Sequence, residues 1–209
     1  ATGVNGNQND DSLPQAGAVY VFTRTAGKWS QQAYIKASNT GRPVDQNDPN
    51  DFGDGDQFGF GLALSADGNT LAAGAPTEDS RAAGINNNAF QKDDSLANSG
   101  AVYVFTRTGS TWSQQAYVKA SNSDGGDLFG YAIGLSGDGN AMVVSGYDED
   151  GSTRQINGIP DNLHNGSGAL YVFRRRGSDW SQEAYLKASN GEGNDSLGYS
   201  VAISQDGNT

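Results

Sequence analysis

The sequence has no cysteine, a single histidine and a single methionine among its 209 residues. The absence of cysteine excludes a disulfide scaffold, but it leaves secretion open because a large core or a bound metal can replace disulfides. His164 has neither a cysteine nor a second histidine with which to form a zinc site. No apolar run approaches the roughly 20 residues that a transmembrane helix needs, so we expect no membrane insertion. The chain opens with neither an initiator methionine nor a signal peptide, which predicts a mature or excised piece.

Positive charge and aliphatic residues are scarce as well. The formal net charge is −11, which argues against nucleic-acid backbones and anionic membranes as partners. Leu, Ile, Val and Phe provide only 36 residues, and such a share combined with high net charge is typical of disordered chains. We reject disorder because the apolar residues are concentrated in repeats, where tyrosine and tryptophan add area that can be buried.

A stretch of 23 residues occurs three times, and 15 of its positions are identical in all copies. The copies cover residues 17–39, 100–122 and 168–190. Each begins with a β-branched and aromatic run, continues through a turn that contains glycine, and ends with a second run from tryptophan to lysine. Each copy therefore predicts a β-hairpin.

Further short strands follow the hairpins. The segments that predict them are 58–65 and 71–75, then 129–135 and 141–145, then 197–203. In the first segment four large apolar side chains alternate, so we expect them on one face of the strand. They are Phe58, Phe60, Leu62 and Leu64.

Four antiparallel strands per unit predict an all-β fold of β-propeller blades, with three four-stranded units. The approximate units are 1–57, 58–128 and 129–209, within a single propeller segment that covers residues 1–209. Strand counting along the chain gives two, four, four and one. The segment is therefore expected to belong to a larger propeller, or to complete its sheet with a neighbouring chain. A β-sandwich is the alternative, but it would not require the hairpins to repeat so closely.

The pair Phe58-Gly59, followed by Leu71-Ala72-Ala73-Gly74-Ala75-Pro76, resembles an FG-GAP repeat. The second unit has Phe129-Gly130, but it has Ser145-Gly146-Tyr147 where Gly-Ala-Pro is expected. Such repeats build the seven-bladed propeller of integrin α-subunit heads, and the hairpins here are similar to the bacterial branch of the family. The resemblance implies the propeller fold and says little about function.

The resemblance also implies a calcium loop between those two strands, because integrin-type repeats often carry D-x-D-x-D-G-x-x-D there. In this sequence the connection is only residues 65–70 and has too few carboxylates. Asp67-Gly68 instead favours a type I′ turn with positive φ at both residues. We therefore do not carry the calcium site over to this turn.

Other acidic residues precede the Phe-Gly pairs and are candidate calcium ligands. Alternating Asp and Gly lets a loop wrap an ion that takes about six to eight oxygen ligands. The candidates are Asp54, Asp56, Asp124, Asp127 and Asp195. The same residue types are ordinary in solvated turns, so both interpretations stay open and calcium is the one cofactor we consider.

Several repeat positions are expected to be structural. The tryptophans could stack on sugars, but their identical place in every hairpin favours packing between blades. These structural positions are Trp29, Trp112, Trp180, Tyr34, Tyr117, Tyr185, Phe58, Gly59, Phe129 and Gly130.

Neither a nucleophile elbow nor a phosphate-binding loop is present, so we expect no enzyme. The resemblance favours a non-catalytic binding or adhesion module, extracellular or at the cell surface, that presents variable loops to a protein or glycan partner. Those loops are 40–55, 77–99 and 147–167. Further blades from the same or a neighbouring chain are the other expected partners. The alternatives are a structural repeat segment of a larger surface protein or filament and, less favoured, a carbohydrate-active enzyme on a propeller scaffold.

Overall fold

The computed structural model describes residues 1–41, 55–87 and 89–209, and the regular structure in them is entirely β. The strands are β1 (Val19–Thr25), β2 (Lys28–Ile35), β3 (Leu62–Leu64), β4 (Thr70–Ala75), β5 (Ala101–Thr108), β6 (Thr111–Val118), β7 (Phe129–Leu135), β8 (Ala141–Gly146), β9 (Ala169–Arg176) and β10 (Asp179–Leu186). Within the same ranges, no helix has the length and apolar character of a membrane span.

The strands form three antiparallel sheets. The first sheet is the hairpin β1–β2, the second has the order β3-β4-β5-β6, and the third has the order β10-β9-β8-β7. The all-β fold is therefore confirmed, and the three sheets fit propeller blades. The second and third sheets each combine two short strands with the hairpin that follows them in sequence. Since no comparable pair of strands precedes β1 in this sequence, the first sheet has two strands and not four.

Each hairpin has a β-bulge at the same place. In the first hairpin Val21 pairs with Ala33 and Phe22 pairs with Gln31, so Gln32 is the extra residue. The register shifts at the equivalent position in β5–β6 and in β9–β10. A bulge changes the direction of the extra residue's side chain. The extra residue is Gln32 in the first hairpin, Gln115 in the second and Glu183 in the third.

The tight turn between β3 and β4 differs from the predicted type I′ turn. Gly68 has a φ of 67°, whereas Asp67 is not among the residues with positive φ. The Asp67 carboxylate explains this, because its Oδ1 accepts from Ser65 Oγ at 2.6 Å and from Asn69 N–H at 2.9 Å. This side-chain bonding stabilises a different turn. The turns at 136–141 and 204–209 repeat the arrangement.

Two predicted strands are wrong in extent. In segment 58–65 only Leu62–Leu64 is a strand, and Phe58 is buried while Phe60, Leu62 and Leu64 are exposed. Gly59 has a φ of 93°, which breaks the alternation of side chains after Phe58. Segment 197–203 forms only an isolated bridge between Leu197 and Gly168, because the counterpart of β8 that would pair with it does not occur before Thr209.

Each hairpin has an aliphatic face and an aromatic face, since side chains alternate along a strand. The aliphatic faces are Val19, Val21, Ala33 and Ile35; Val102, Val104, Ala116 and Val118; and Leu170, Val172, Ala184 and Leu186. The aromatic faces are Tyr20, Phe22, Trp29 and Tyr34; Tyr103, Phe105, Trp112 and Tyr117; and Tyr171, Phe173, Trp180 and Tyr185. Two buried clusters join the aliphatic face of one sheet to the aromatic face of the next.

A polar contact accompanies this packing. Trp112 Nε1 donates to Gln32 Oε1 at 3.0 Å, and Arg107 Nη1 donates to the same oxygen at 3.2 Å. The Arg107 guanidinium also lies over the Trp112 ring, 5.6 Å from its centroid. Trp180, Arg175 and Gln115 repeat the contact between the second and third sheets. The extra residue of the bulge in one hairpin thus accepts hydrogen bonds from the tryptophan and the arginine of the next hairpin.

Trp29 is 68% exposed and Trp112 only 4%, although both occupy the same repeat position. Replacing Trp112 with Ala should therefore lower the free energy of unfolding by about 3–5 kcal/mol, the range for a buried aromatic. Trp29→Ala, the matched control, should change it by less than about 0.5 kcal/mol. Urea denaturation of dilute protein measures both. Equal losses in the two variants would contradict the packing assignment.

Candidate functional site

Both long loops leave the sheets at the same end, because β4 and β8 precede them and the next hairpins begin where they finish. Each loop is closed at its base by a backbone hydrogen bond. Gly100 N–H donates to Glu78 O at 2.8 Å, and Gly168 N–H donates to Glu149 O at 2.9 Å. The two glutamates therefore stand where loops 77–99 and 147–167 meet their sheets.

A buried ion pair anchors loop 77–99. Lys119 Nζ lies 2.8 Å from Glu78 Oε2, and both side chains are buried. The other carboxylate oxygen, Oε1, accepts from Tyr117 Oη at 2.8 Å and from Asn39 Nδ2 at 2.9 Å. Lys119 Nζ also donates to Ser99 Oγ at 2.6 Å. The cluster thus ties both ends of the loop to β6, and through Asn39 it reaches the segment that follows the first sheet.

An equivalent cluster anchors loop 147–167. Lys187 Nζ lies 2.7 Å from Glu149 Oε2, again between buried side chains. Tyr185 Oη donates to Glu149 Oε1 at 2.7 Å, and Asn122 Nδ2 donates to the same oxygen at 3.2 Å. Lys187 Nζ donates to Ser167 Oγ at 2.6 Å. Two loops of different sequence and length are therefore held by one arrangement of Glu, Lys, Tyr, Asn and Ser.

Burial dominates the electrostatics of these clusters. It raises the pKa of Tyr117, and the Glu78 charge adds to the increase. It lowers the pKa of Lys119, while Glu78 opposes the change. The pair is costly to desolvate and is stable only because hydrogen bonds satisfy its remaining groups. These side chains are buried away from solvent, and their hydrogen bonds anchor the loops.

The first hairpin retains the lysine and tyrosine in a different setting. Lys36 is buried and donates to Gly17 O, and burial lowers its pKa. Ala16 stands where the other units have Ser99 and Ser167. The first hairpin therefore shares the lysine and the tyrosine of the anchoring clusters but not the serine.

Aromatic side chains form a partly exposed patch near the same loops. Phe60, Tyr131 and Tyr199 each follow the glycine of a Phe-Gly or Leu-Gly pair. The rings of Phe60 and Tyr131 lie 4.8 Å apart, and the ring of Tyr147 stacks on that of Tyr131 at 4.6 Å. Phe60 and Tyr199 are exposed. A sugar ring could stack here, whereas the buried Trp112 and Trp180 are inaccessible to it.

Loop 147–167 exposes large aliphatic side chains to solvent. Ile156, Ile159 and Leu163 are 69%, 86% and 75% exposed. Ile159 lines a groove of about 600 Å³ together with Arg154, His164 and neighbouring polar residues. Exposed aliphatic residues grouped in one loop are typical of an interaction site.

The loop that carries them is well supported. Asn157 N–H donates to Tyr185 O at 2.7 Å, and Tyr185 N–H donates to Asn157 Oδ1 at 2.8 Å. Asp161 accepts from Ser152 N–H at 2.6 Å and from Ser152 Oγ at 2.7 Å. Together with the Glu149 cluster, these bonds hold the exposed residues in place.

Two of the candidate calcium ligands accept hydrogen bonds from backbone N–H groups. Asp127 Oδ2 accepts from Asp124 N–H at 2.9 Å, and Asp195 Oδ2 accepts from Glu192 N–H at 2.8 Å. Asp56 is fully buried, and Asp54 lies outside the described residues. Among the described residues, no group of three or more Asp, Glu, His or Cys side chains could hold a metal ion. Calcium binding therefore stays a prediction.

The remaining repeat positions are distributed between the sheets. Tyr117 and Tyr185 belong to the anchoring clusters, and Tyr34 is buried beside Tyr20. Phe58 and Phe129 pack edge-on against the tyrosine and phenylalanine of their own sheets. Gly59 and Gly130 both have positive φ. These residues therefore belong to the scaffold of the sheets.

Sequence reasoning did not identify the anchoring glutamates. A signal was available, because the three copies all have a lysine directly after an apolar strand and two residues after a tyrosine. These lysines are Lys36, Lys119 and Lys187. A lysine repeated at such a position needs an anionic partner if it is buried. Glu78 and Glu149 are each followed by Asp in otherwise different loops.

A known protein family matches this chain in two segments that repeat with the same period as the sheets. A family model described as an FG-GAP repeat matches residues 112–173 and 180–208. Both matched segments begin at a buried tryptophan, Trp112 or Trp180, and each runs through the Phe-Gly or Leu-Gly segment that follows. A comparison with curated proteins gave no match.

Burial raises the pKa of Asp127 to about 7, with a smaller contribution from the Glu149 charge. A folded-state pKa above the ordinary value means that stability present below about pH 4 is lost as pH rises to about 7. Asp127→Asn keeps a side-chain oxygen but cannot ionise. Its stability relative to the parent should therefore increase between pH 4 and pH 8.

Thermal denaturation across that pH range measures the difference. Asp195→Asn, at the equivalent but exposed position, is the matched control. If the stability difference between Asp127→Asn and the parent were the same at pH 4 and pH 8, the burial argument would be wrong.

Proposed function

Because this chain is an FG-GAP repeat protein, we propose that it is a non-catalytic extracellular binding module whose loop 147–167 binds a protein partner. FG-GAP repeats suggest a propeller-type repeat module. They are typically found in extracellular proteins, which supports the setting. The exposed Ile156, Ile159 and Leu163 carry the proposal.

The chemistry of the loop favours a protein over a nucleic acid or an anionic surface. Three aliphatic side chains provide apolar area that a protein surface can cover. Arg154 beside the groove, with its Nε bonded to Gly191 O at 3.0 Å, adds a fixed cation to an otherwise acidic protein. A peptide with an apolar residue next to an acidic one would satisfy both features.

A non-catalytic role is supported by the placement of the titratable groups. FG-GAP repeats are generally non-enzymatic. Lys119, Lys187 and their glutamates are buried and paired with each other, which argues against contact with a substrate. These buried pairs therefore give no support to the enzyme alternative.

A peptide selection tests the proposal. The chain is immobilised and screened with a displayed library of linear 12-residue peptides, then with a glycan array. We expect enriched peptides that combine apolar and acidic residues, and binding that falls at least about tenfold in the variant Ile156→Ser/Ile159→Ser/Leu163→Ser. Phe90→Ser, which changes an exposed side chain on the other long loop, is the control and should bind normally.

Three outcomes would contradict the proposal. Peptides that bind the triple variant as well as the parent would exclude the loop as the site. Glycan binding that depends on Phe60 or Tyr199 would assign the ligand to the aromatic patch, and turnover of that glycan would establish an enzyme. Failure to bind any peptide or glycan would favour the alternative that the chain is a structural repeat segment of a larger protein.

A further inference from the structure

A lysine and an asparagine side chain meet on one buried carboxylate at the base of loop 77–99. Glu78 Oε2 accepts from Lys119 Nζ at 2.8 Å, and Glu78 Oε1 accepts from Asn39 Nδ2 at 2.9 Å. Glu78 and Lys119 are buried, and Asn39 is half-buried. An amine and a carboxamide are therefore held together on the two oxygens of a single carboxylate that is shielded from solvent.

Burial prepares the amine of Lys119 to act as a nucleophile. Only an uncharged amine has the lone pair that attacks a carbonyl carbon. Burial lowers the pKa of Lys119, although the Glu78 charge opposes the change, and transfer of one proton to Glu78 would remove both buried charges at once. Ser99 Oγ accepts from Lys119 Nζ at 2.6 Å, which helps to keep the nitrogen beside the carboxylate.

The carboxamide of Asn39 is polarised by two hydrogen bonds to its oxygen. Tyr103 Oη donates to Asn39 Oδ1 at 2.6 Å, and Gln91 Nε2 donates to the same oxygen at 2.9 Å. Donors placed at a carbonyl oxygen stabilise the negative charge that develops there when a nucleophile adds to the carbon. Tyr103 is buried in the second sheet, so packing fixes one of these two donors.

The next unit has the same residue types in a looser arrangement. Asn122 Nδ2 donates to Glu149 Oε1 at 3.2 Å, and Tyr171 Oη donates to Asn122 Oδ1 at 3.0 Å. Both distances are longer than their counterparts at Asn39. The Asn39 site is therefore the better aligned of the two, and Asn122 provides an internal comparison.

We propose that Lys119 and Asn39 join through an intramolecular amide bond once the chain has folded. Glu78 accepts a proton from the Lys119 ammonium, and Nζ then attacks Asn39 Cγ. Glu78 passes that proton to Asn39 Nδ2 and accepts a second proton from the attacking nitrogen. The Cγ–Nδ2 bond breaks and ammonia leaves, so that the Cγ–Nζ amide remains beside a protonated Glu78. The step needs no oxidant, reductant or cofactor.

This bond links two sheets covalently. Asn39 belongs to the segment that follows the first sheet, whereas Lys119 directly follows β6 of the second sheet. A cross-link between distant positions restricts the unfolded chain and so raises stability. The reaction takes place once in each molecule, and it is therefore independent of the binding function proposed above.

The mass of the denatured protein tests the proposal. The parent chain should be lighter than its sequence mass by one molecule of ammonia, and a tryptic digest should contain a branched peptide that joins Asn39 to Lys119. Peptide mapping is needed because a succinimide at an Asn-Gly step also releases ammonia. Asn39→Ala should show no branched peptide, whereas Asn122→Ala, the matched control, should still contain the link between Asn39 and Lys119.

A further variant tests the role of the carboxylate. Glu78→Gln cannot accept a proton from Lys119 and should form the link at least about tenfold more slowly. Circular dichroism of Asn39→Ala and Glu78→Gln shows whether a missing link reflects lost chemistry or a lost fold. Absence of the branched peptide from the folded parent chain after prolonged incubation would overturn the proposal whatever the variants do. A link that forms equally fast in Glu78→Gln would overturn the assigned proton transfer.

Discussion

The buried lysine–glutamate pair is the interaction on which the loop-bearing end of this protein depends. Removing two charges from water is expensive, and an incomplete set of hydrogen bonds would leave that cost uncompensated. Around Glu149 the set includes Lys187, Tyr185 and Asn122. These partners come from two adjacent sheets. One cluster therefore fixes the base of the loop, the end of β10 and the position of the preceding sheet at once.

This arrangement separates scaffold from recognition. The packed faces and the anchoring clusters repeat from sheet to sheet, whereas loops 77–99 and 147–167 differ in sequence and length. A loop held at its base and along its course loses less conformational entropy when it binds, which favours affinity. Loop 147–167 can expose Ile156, Ile159 and Leu163 because the Glu149 cluster beneath them supplies the order that burial would otherwise provide.

The repeats made most of the fold predictable. The hairpins, β4, β7 and β8 follow from apolar runs bounded by turn residues. The identical place of the three tryptophans predicted packing between sheets, which holds for Trp112 and Trp180 but not for the exposed Trp29. The extent of segment 197–203 could not be predicted from its own residues, because a strand needs a partner. Trp29 shows the same limit, since its copy of the repeat does not determine which surface covers it.

The site was less predictable than the fold. Acidic residues near Phe58 and Phe129 suggested calcium, but Asp127 is engaged by a backbone N–H and is buried. Glu78 and Glu149 lie 41 and 38 residues before their lysines, so no local pattern joins them. These charges come together only in the folded chain, where the end of the hairpin lies beside the base of the loop.

Hydrogen exchange in Glu149→Gln tests the central claim most directly. Amides of loop 147–167 that are bonded in the structure, such as those of Asn157, His164 and Gly166, should exchange at least about tenfold faster than in the parent. Amides of β4 and β5 in the second sheet should keep their protection. Unchanged exchange in the loop, or an equal increase in all sheets, would contradict the account that the buried pair anchors the loop.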